Sequence, residues 1–349
     1  MPNIDYLIGA NDEHGVNPPT PGKRTPVLPG LDRQIYENEF NRAAKSAFIE
    51  GCLRNGFSVY DVKPEEQDVP VAARVARINR RDLTLLVTFA YNAFGAGNTF
   101  NSASGVTVYY SALNRYRERS RQLSEEIYES LVGGIEQRGR GVRTIDGVGV
   151  LDNVDCPSTL IEAGFMTNLF EAQLMIDPSF TTEVGEETVR GVCNYLGVPY
   201  VARSIENYPL IKYGNRGNFV TLLQFLLTGY GYGIDVDGIF GTQTRDVVID
   251  FQRANGIKTD GIVGEETWRY LLSLPPYPVL RRGDSGAYVL FLQKKLASYL
   301  VPVGRNDGVF GTMTENAVKA FQSQRGITVD GIVGPVTWAN LLKERKVGQ

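Results

Sequence analysis

The chain repeats itself. Residues 210 to 272 carry "DGIFGTQT", "VVIDFQRANGI" and "TDGIVGEETWRYLL"; residues 279 to 342 carry "DGVFGTMT", "AVKAFQSQRGI" and "VDGIVGPVTWANLL". Asp237 and Asp307 lie 70 positions apart, as do Asp260 and Asp330, Phe251 and Phe321, and Trp268 and Trp338, whereas Gly217 and Gly286 lie 69 apart. A fixed period of this kind means two copies of one small supersecondary unit, the second with one extra residue before its "DGVFG". Within each copy helical stretches alternate with Gly-rich turns. Val247, Val248 and Phe251, like Val318 and Phe321, give an inward face at helical spacing. Thr244, Thr267, Thr314 and Thr337 fall near expected helix starts. At about 65 residues each copy has a marginal core by itself, and packing against a neighbour helps it.

The first 200 residues have another rhythm. Strand-like runs "DYLIGA", "FSVYDV", "LTLLVTFAY", "GVTVYY" and "STLIEAGF" alternate with helical stretches "YENEFNRAAKSAFIEGCLRNG", "VAARVARINRR" and "RYRERSRQLSEEIYESLVGGI". That alternation predicts an α/β domain with a mostly parallel sheet covered by helices, whose functional groups gather where strands end in loops. The expected organisation is a domain over 1–200, a linker "GVPYVARSIENYP" over 197–209, and two three-helix repeats over 207–273 and 277–343.

Composition narrows the function classes. The chain is 42% hydrophobic and 21% charged, without an apolar run near the roughly 18 residues that read as a membrane span. The net charge of -3 conceals an asymmetry: residues 1 to 200 hold 19 Lys and Arg against 26 Asp and Glu, residues 201 to 349 hold 17 against 13. The mildly basic back half lacks Lys/Arg runs, so nucleic acid is not expected as a partner. Cys52, Cys156 and Cys193 are odd in number, widely spaced and without a CxxC pair, which predicts buried free thiols rather than a disulfide framework. The start "MPNIDYLIGANDEHG" has neither a basic n-region nor an h-region, so synthesis without a secretory signal, or with one removed, is expected. Oligomeric state leaves no mark in the sequence.

The repeats resemble the peptidoglycan-binding domain of the three-helix type found on bacterial cell-wall hydrolases. The resemblance rests on "D-G-x-[FV]-G", the helix ending in "FQ", and the closing "D-G-I-V-G-x-x-T-W-x-x-L". The first domain, over roughly residues 4 to 198, resembles the zinc-dependent N-acetylmuramoyl-L-alanine amidases of the AmiC/CwlV type, the Amidase_3 family. Its motifs come in the family's order: "DEHGVNPPTPGKRTP", "IYENEFNRA", "VTFAYNAFG", "SASGVTVYY", "RGRGV" and "STLIEAGFMTN". The resemblance implies peptidoglycan as partner, action at the bacterial cell wall, and a zinc ion held by two His and one Glu with a position left for water. His14 matches the first histidine. Glu37 matches the glutamate, followed four residues later by Asn41; Glu39 is a weaker match, because two helical steps turn it by about 200°. The second histidine belongs where Ala90 stands, in "TFAYNA". Glu162 matches the catalytic glutamate, which would take a proton from the zinc-bound water and return it to the leaving amine.

His14 is the only histidine in the chain, so one chain cannot build a two-histidine site. Tyr91 alternates to the opposite face of its strand. Asp12, Glu13 and Glu39 are the nearby oxygen donors, although oxygen-rich sites hold zinc less selectively than imidazole. Without the resemblance, His14 is a loop histidine, Glu37 a first-turn acid favoured by the helix dipole, and Glu162 a carboxylate in an apolar strand that needs a partner or a task. Two readings follow. One is an amidase with the third zinc ligand replaced by Ala90, binding zinc weakly or not at all and impaired or inactive. The other is a natural pseudoenzyme that binds peptidoglycan without cutting it. Phe89, where the family has a smaller aliphatic residue, leans towards natural drift; the retained Glu37 and Glu162 lean towards recent or deliberate loss. A phage particle, a spore or release by lysis would each fit the absence of a signal.

Overall fold

The computed structural model describes residues 5–15, 24–29, 34–95, 97–230, 232–273, 280–284, 287–299 and 301–342. Part of the "TPGKRTP" stretch and the expected boundaries at 277 and 343 lie outside the described residues. The fold divides into two compact units, Met1–Leu28 with Gln34–Arg203, and Pro29–Arg33 with Ser204–Gln349.

The first unit is built on a six-stranded sheet in the order β2-β1-β3-β6-β4-β5. Its strands are β1 (Leu7–Asp12), β2 (Ser58–Asp61), β3 (Leu85–Asn92), β4 (Val106–Tyr110), β5 (Gly139–Thr144) and β6 (Ser158–Phe165). Four of the five pairings are parallel, and β4 runs antiparallel to β6. Seven of the eight residues of β3 are buried, because helices cover both faces of such a sheet and its central strands read as apolar runs. Phe89 faces α1 (Glu37–Arg54), its ring 5.5 Å from that of Phe48, while Tyr91 meets Phe40 edge-on at 4.6 Å. On the opposite face Leu86 joins Val62, Ile78 and Cys156 in a second cluster, towards α2 (Val71–Asn79). The remaining helices are α3 (Arg117–Gly134), α4 (Gly149–Asp152), α5 (Leu169–Leu174) and α6 (Pro178–Leu196).

The pattern of apolar runs does not name β5 or α6. The strand β5 reads "GRGVRT" and none of its residues is buried, so it lacks the alternation that marks a strand. Helix α6 is delimited by local chemistry: Asp177 accepts from Ser179 N at its start, Pro178 is its first residue, and Gly197 closes it at φ 68°. The expected linker begins later than 197. Val201 N donates to Asn55 Oδ1 at 2.6 Å, Arg54 Nε donates to Val201 O at 3.1 Å, and Tyr200 OH donates to Glu186 Oε2 at 2.5 Å. Arg54 also pairs with Glu186, so the segment is hydrogen-bonded to α1 and α6 where a buried ion pair joins those two helices. The three cysteines are free and buried.

The second unit holds two sets of three helices, α7 (Asn218–Gly229), α8 (Thr242–Ala254) and α9 (Glu265–Ser273), then α10 (Ala287–Ser298), α11 (Thr312–Arg325) and α12 (Pro335–Leu342). Trp268 and Trp338 are at most 1% exposed and anchor the two cores. A buried glutamine organises every Gly-rich turn. Gln224 Nε2 donates to Asp237 Oδ1, Ile239 O and Thr244 Oγ1, and its Oε1 accepts from Gly238 N. The same set recurs on Gln252, Gln293 and Gln322. Thr244 and Thr314 therefore sit inside the first helical turn, with Gly241 and Gly311 as the N-cap residues. Each repeat is thus itself two variations on one Gln-Asp-Gly-Thr lock.

Candidate active site at the carboxyl ends of the central strands

The four sequence-matched positions lie after β1 (His14), at the start of α1 (Glu37), within β3 (Ala90) and within β6 (Glu162). His14 follows β1 and adopts φ 63°, the only positive φ outside glycine among the described residues. A left-handed conformation costs a non-glycine residue about 1–2 kcal/mol, so its surroundings must hold it there. Lys63 Nζ donates to His14 O at 2.7 Å, and Glu13 N donates to Phe89 O at 3.1 Å. The next residue has to be glycine: a Cβ on Gly15 would lie 2.1 Å from Asp68 N. His14 Nε2 then stands 3.4 Å from Glu37 Oε2, with the histidine side chain 26% exposed and the glutamate 3%.

Glu37 opens α1 and is fixed on its other oxygen. Oε1 accepts from Tyr91 N at 2.9 Å and from Asn41 Nδ2 at 3.2 Å. Asn41, one helical turn on, also donates to Glu13 O at 3.0 Å, so it ties the histidine loop to the helix start. Tyr91 itself turns away from this cluster and donates its hydroxyl to Glu171 O.

Ala90 pairs in register with Glu162 of β6, which in turn opposes Thr107 of β4. Register partners on neighbouring strands share a face of the sheet, so Ala90 and Glu162 stand side by side. Ala90 is 3% exposed, and its methyl packs with Leu151 and Leu160.

The other acids near His14 have other partners. Asp12 is wholly buried between Lys45 Nζ at 2.6 Å and Lys63 Nζ at 3.0 Å. Burial pushes the Lys63 ammonium below its ordinary range, against the pull of Asp12. Glu13 is held by both terminal nitrogens of Arg74, at 2.9 and 3.0 Å, and Glu39 caps α1 by accepting from Tyr36 N. Asn41 stands in the "IYENEFNRA" motif; no sequence signal marks Lys63 or Arg74.

These residues do not fit the zinc set that the resemblance implies. Among the described residues no group of three or more His, Cys, Asp or Glu side chains is arranged to hold a metal ion. The position that should bring the second imidazole brings a methyl group into an apolar enclosure.

Comparison with known proteins matches residues 14–194 to the family described as "N-acetylmuramoyl-L-alanine amidase" (Amidase_3). Residues 216–271 and 285–341 match that described as "Putative peptidoglycan binding domain". A Bacillus licheniformis protein named "Probable N-acetylmuramoyl-L-alanine amidase" is 34% identical over 157 residues, covering 38% of this chain and 44% of the relative. N-acetylmuramoyl-L-alanine amidase CwlM of Mycobacterium tuberculosis is 33% identical over 154 residues, covering 39% of this chain and 38% of the relative. The chain thus spans less than half the length of these curated relatives. The crystal structure of an N-acetylmuramoyl-L-alanine amidase from Clostridium difficile 630 aligns with a TM-score of 0.48 at 23% identity, over 55% of this chain and 97% of that one. With its matched segment exceeding half of its length, the chain belongs to the Amidase_3 family and carries two peptidoglycan-binding repeats behind the amidase-type domain.

Proposed function

We propose that this chain binds bacterial peptidoglycan with its amidase cleft and its two repeats, and that its own residues do not complete the centre for hydrolysing the N-acetylmuramoyl-L-alanine amide. The observation that carries the reading is Ala90, enclosed by Leu151 and Leu160 beside Glu162, in a chain whose only histidine is His14. Glu162 matches the family's proton-transfer residue, and without a second imidazole there is no matching set to activate a water for it. Asp12, Glu13 and Glu39 are spoken for by Lys45 and Lys63, by Arg74 and by the helix start, which argues against a substitute oxygen ligand. Two repeats on one tether raise the local concentration of the cleft at the wall and lengthen its stay there.

The test is retention on purified sacculi together with release of stem peptides in the presence of zinc. The unaltered chain is expected to be retained and to release none. Ala90→His, which restores the family's donor set, is expected to gain bound zinc and measurable release. Stem-peptide release by the unaltered chain would overturn the reading whether or not the variant folds.

A further inference from the structure

The loops that follow β3 and β6 build an open groove of about 550 Å³ that the cluster around His14 does not use. One wall comes from the segment between β3 and β4, with Phe100 and Asn101; the other comes from α5, with Asn168, Leu169, Phe170 and Gln173. Phe170 is 62% exposed and Leu169 39%, and Phe94, on the same segment as Phe100, is 63% exposed. Large apolar side chains on the walls of a groove mark an interaction surface.

The walls are fixed to each other by backbone. Asn101 N donates to Thr167 O at 2.7 Å, Phe94 N to Thr167 Oγ1 at 3.1 Å, and Met166 N to Asn92 O at 2.8 Å. Glu171, buried beneath them, accepts from Gly105 N at 2.8 Å and from Phe165 N at 2.7 Å. The groove is therefore preformed, as ligand sites are.

Its chemistry selects among the parts of peptidoglycan. Among the described residues no lining side chain carries a charge. Asn168 spends its carbonyl oxygen on Phe170 N and Glu171 N, which leaves its NH2 to a ligand, and Gln173 adds a second exposed amide. Phenyl faces cover the C–H faces of a pyranose by close dispersion contact, while amides bond hydroxyl and N-acetyl groups. A stem peptide with ionised groups would call for charged partners. Glu162 and Asn168 are six residues apart, so at most about 20 Å of chain separates Glu162 from the wall of the groove.

Resting on the peptidoglycan reading above, we infer that this groove seats the glycan strand, with N-acetylhexosamine rings against Phe170 and Phe100 and the lactyl-linked amide directed towards Ala90 and Glu162. Hydrogen exchange of the full chain with peptide-free glycan strands tests it, because the readout is local. Amides in 93–105 and 166–174 are expected to slow, in addition to any protection in the repeats. The double variant Phe100→Ala with Phe170→Ala, both lining the groove and outside the core, is expected to weaken that local protection about tenfold in glycan concentration, the equivalent of 1.4 kcal/mol. Protection confined to the repeats, or protection of the groove by free stem peptide and not by glycan, overturns the assignment. A chain that is retained on sacculi yet shows no groove protection removes this inference alone; a chain that is not retained removes the reading beneath it as well.

Discussion

Replacing Gln252 by leucine should unlock one repeat while leaving the amidase-type domain intact. Gln252 is fully buried. It donates to Asp260 Oδ1 at 3.2 Å, Ile262 O at 2.8 Å and Thr267 Oγ1 at 3.1 Å, and it accepts from Asp260 N at 3.1 Å and Gly261 N at 2.8 Å. Leucine nearly matches its size and makes none of these bonds. Gly261 N is buried and gains no other partner, a loss of about 1–3 kcal/mol. Ile262 O keeps its bond from Thr267 Oγ1, and Asp260 Oδ1 its bond from Ile262 N, so the remaining losses are smaller. The sum is about 2–4 kcal/mol, against about 3–10 kcal/mol for the whole stability of a 65-residue unit. Calorimetry of the full chain should show one transition falling by about 8–30 °C at 4–8 °C per kcal/mol. Hydrogen exchange should place the loss at Val248 and Trp268 and spare β3. A shift below about 1 kcal/mol would refute the view that this glutamine locks the turn, and so would an equal loss of protection in β3.

Two further substitutions probe the first domain. Gly15→Ala places a Cβ 2.1 Å from Asp68 N and 2.4 Å from Gln67 C; these are backbone atoms that cannot rotate aside, so thermal unfolding should show a loss of about 1–3 kcal/mol, and an unchanged midpoint would contradict the close approach. Glu171→Gln removes a carboxyl that burial holds above the ordinary glutamate range, against the pull of the Phe165 and Gly105 N–H groups. Because the folded form binds that proton more tightly, its contribution is full below the unfolded pKa and is lost as pH rises through the folded value. The variant, with one N–H left facing its NH2, should be about 1–3 kcal/mol less stable at acid pH and lack that decline in a urea series from about pH 4 to 7.

What the sequence reveals and hides follows from where the deciding interactions lie. The strand β3 announces itself because both its faces are buried and seven of eight residues are apolar or packed. The strand β5 does not, since it sits at the sheet edge with Gly and Arg and takes its place only through pairing with β4. The positions His14, Glu37, Ala90 and Glu162 could be matched by motif, but the left-handed backbone of His14 could not, for it depends on Lys63, 49 residues away. The glutamine locks were half visible. The "FQ" pair marks the helix end in both copies, yet a glutamine on a helix reads as surface until the turn eight residues later closes over it. That closure is a tertiary event, and helical periodicity is blind to it.

The retained Glu37 carries less information about hydrolysis than its motif suggests. Its Oε1 joins the start of α1 to Tyr91 N of β3 and to Asn41, and Asn41 in turn holds Glu13 O. Glu37 is 2% exposed, and truncating it would leave Tyr91 N, itself buried, without this acceptor. Leaving a buried donor unsatisfied costs more than the bond is worth when made. Stability alone is therefore reason enough for Glu37 whether or not a metal is ever bound. Phe89 is likewise held by the core, its ring fully buried against Phe48 of α1. Adjacent positions of one strand thus pack on opposite faces of the sheet, Phe89 against Phe48 and Ala90 against Leu151 and Leu160.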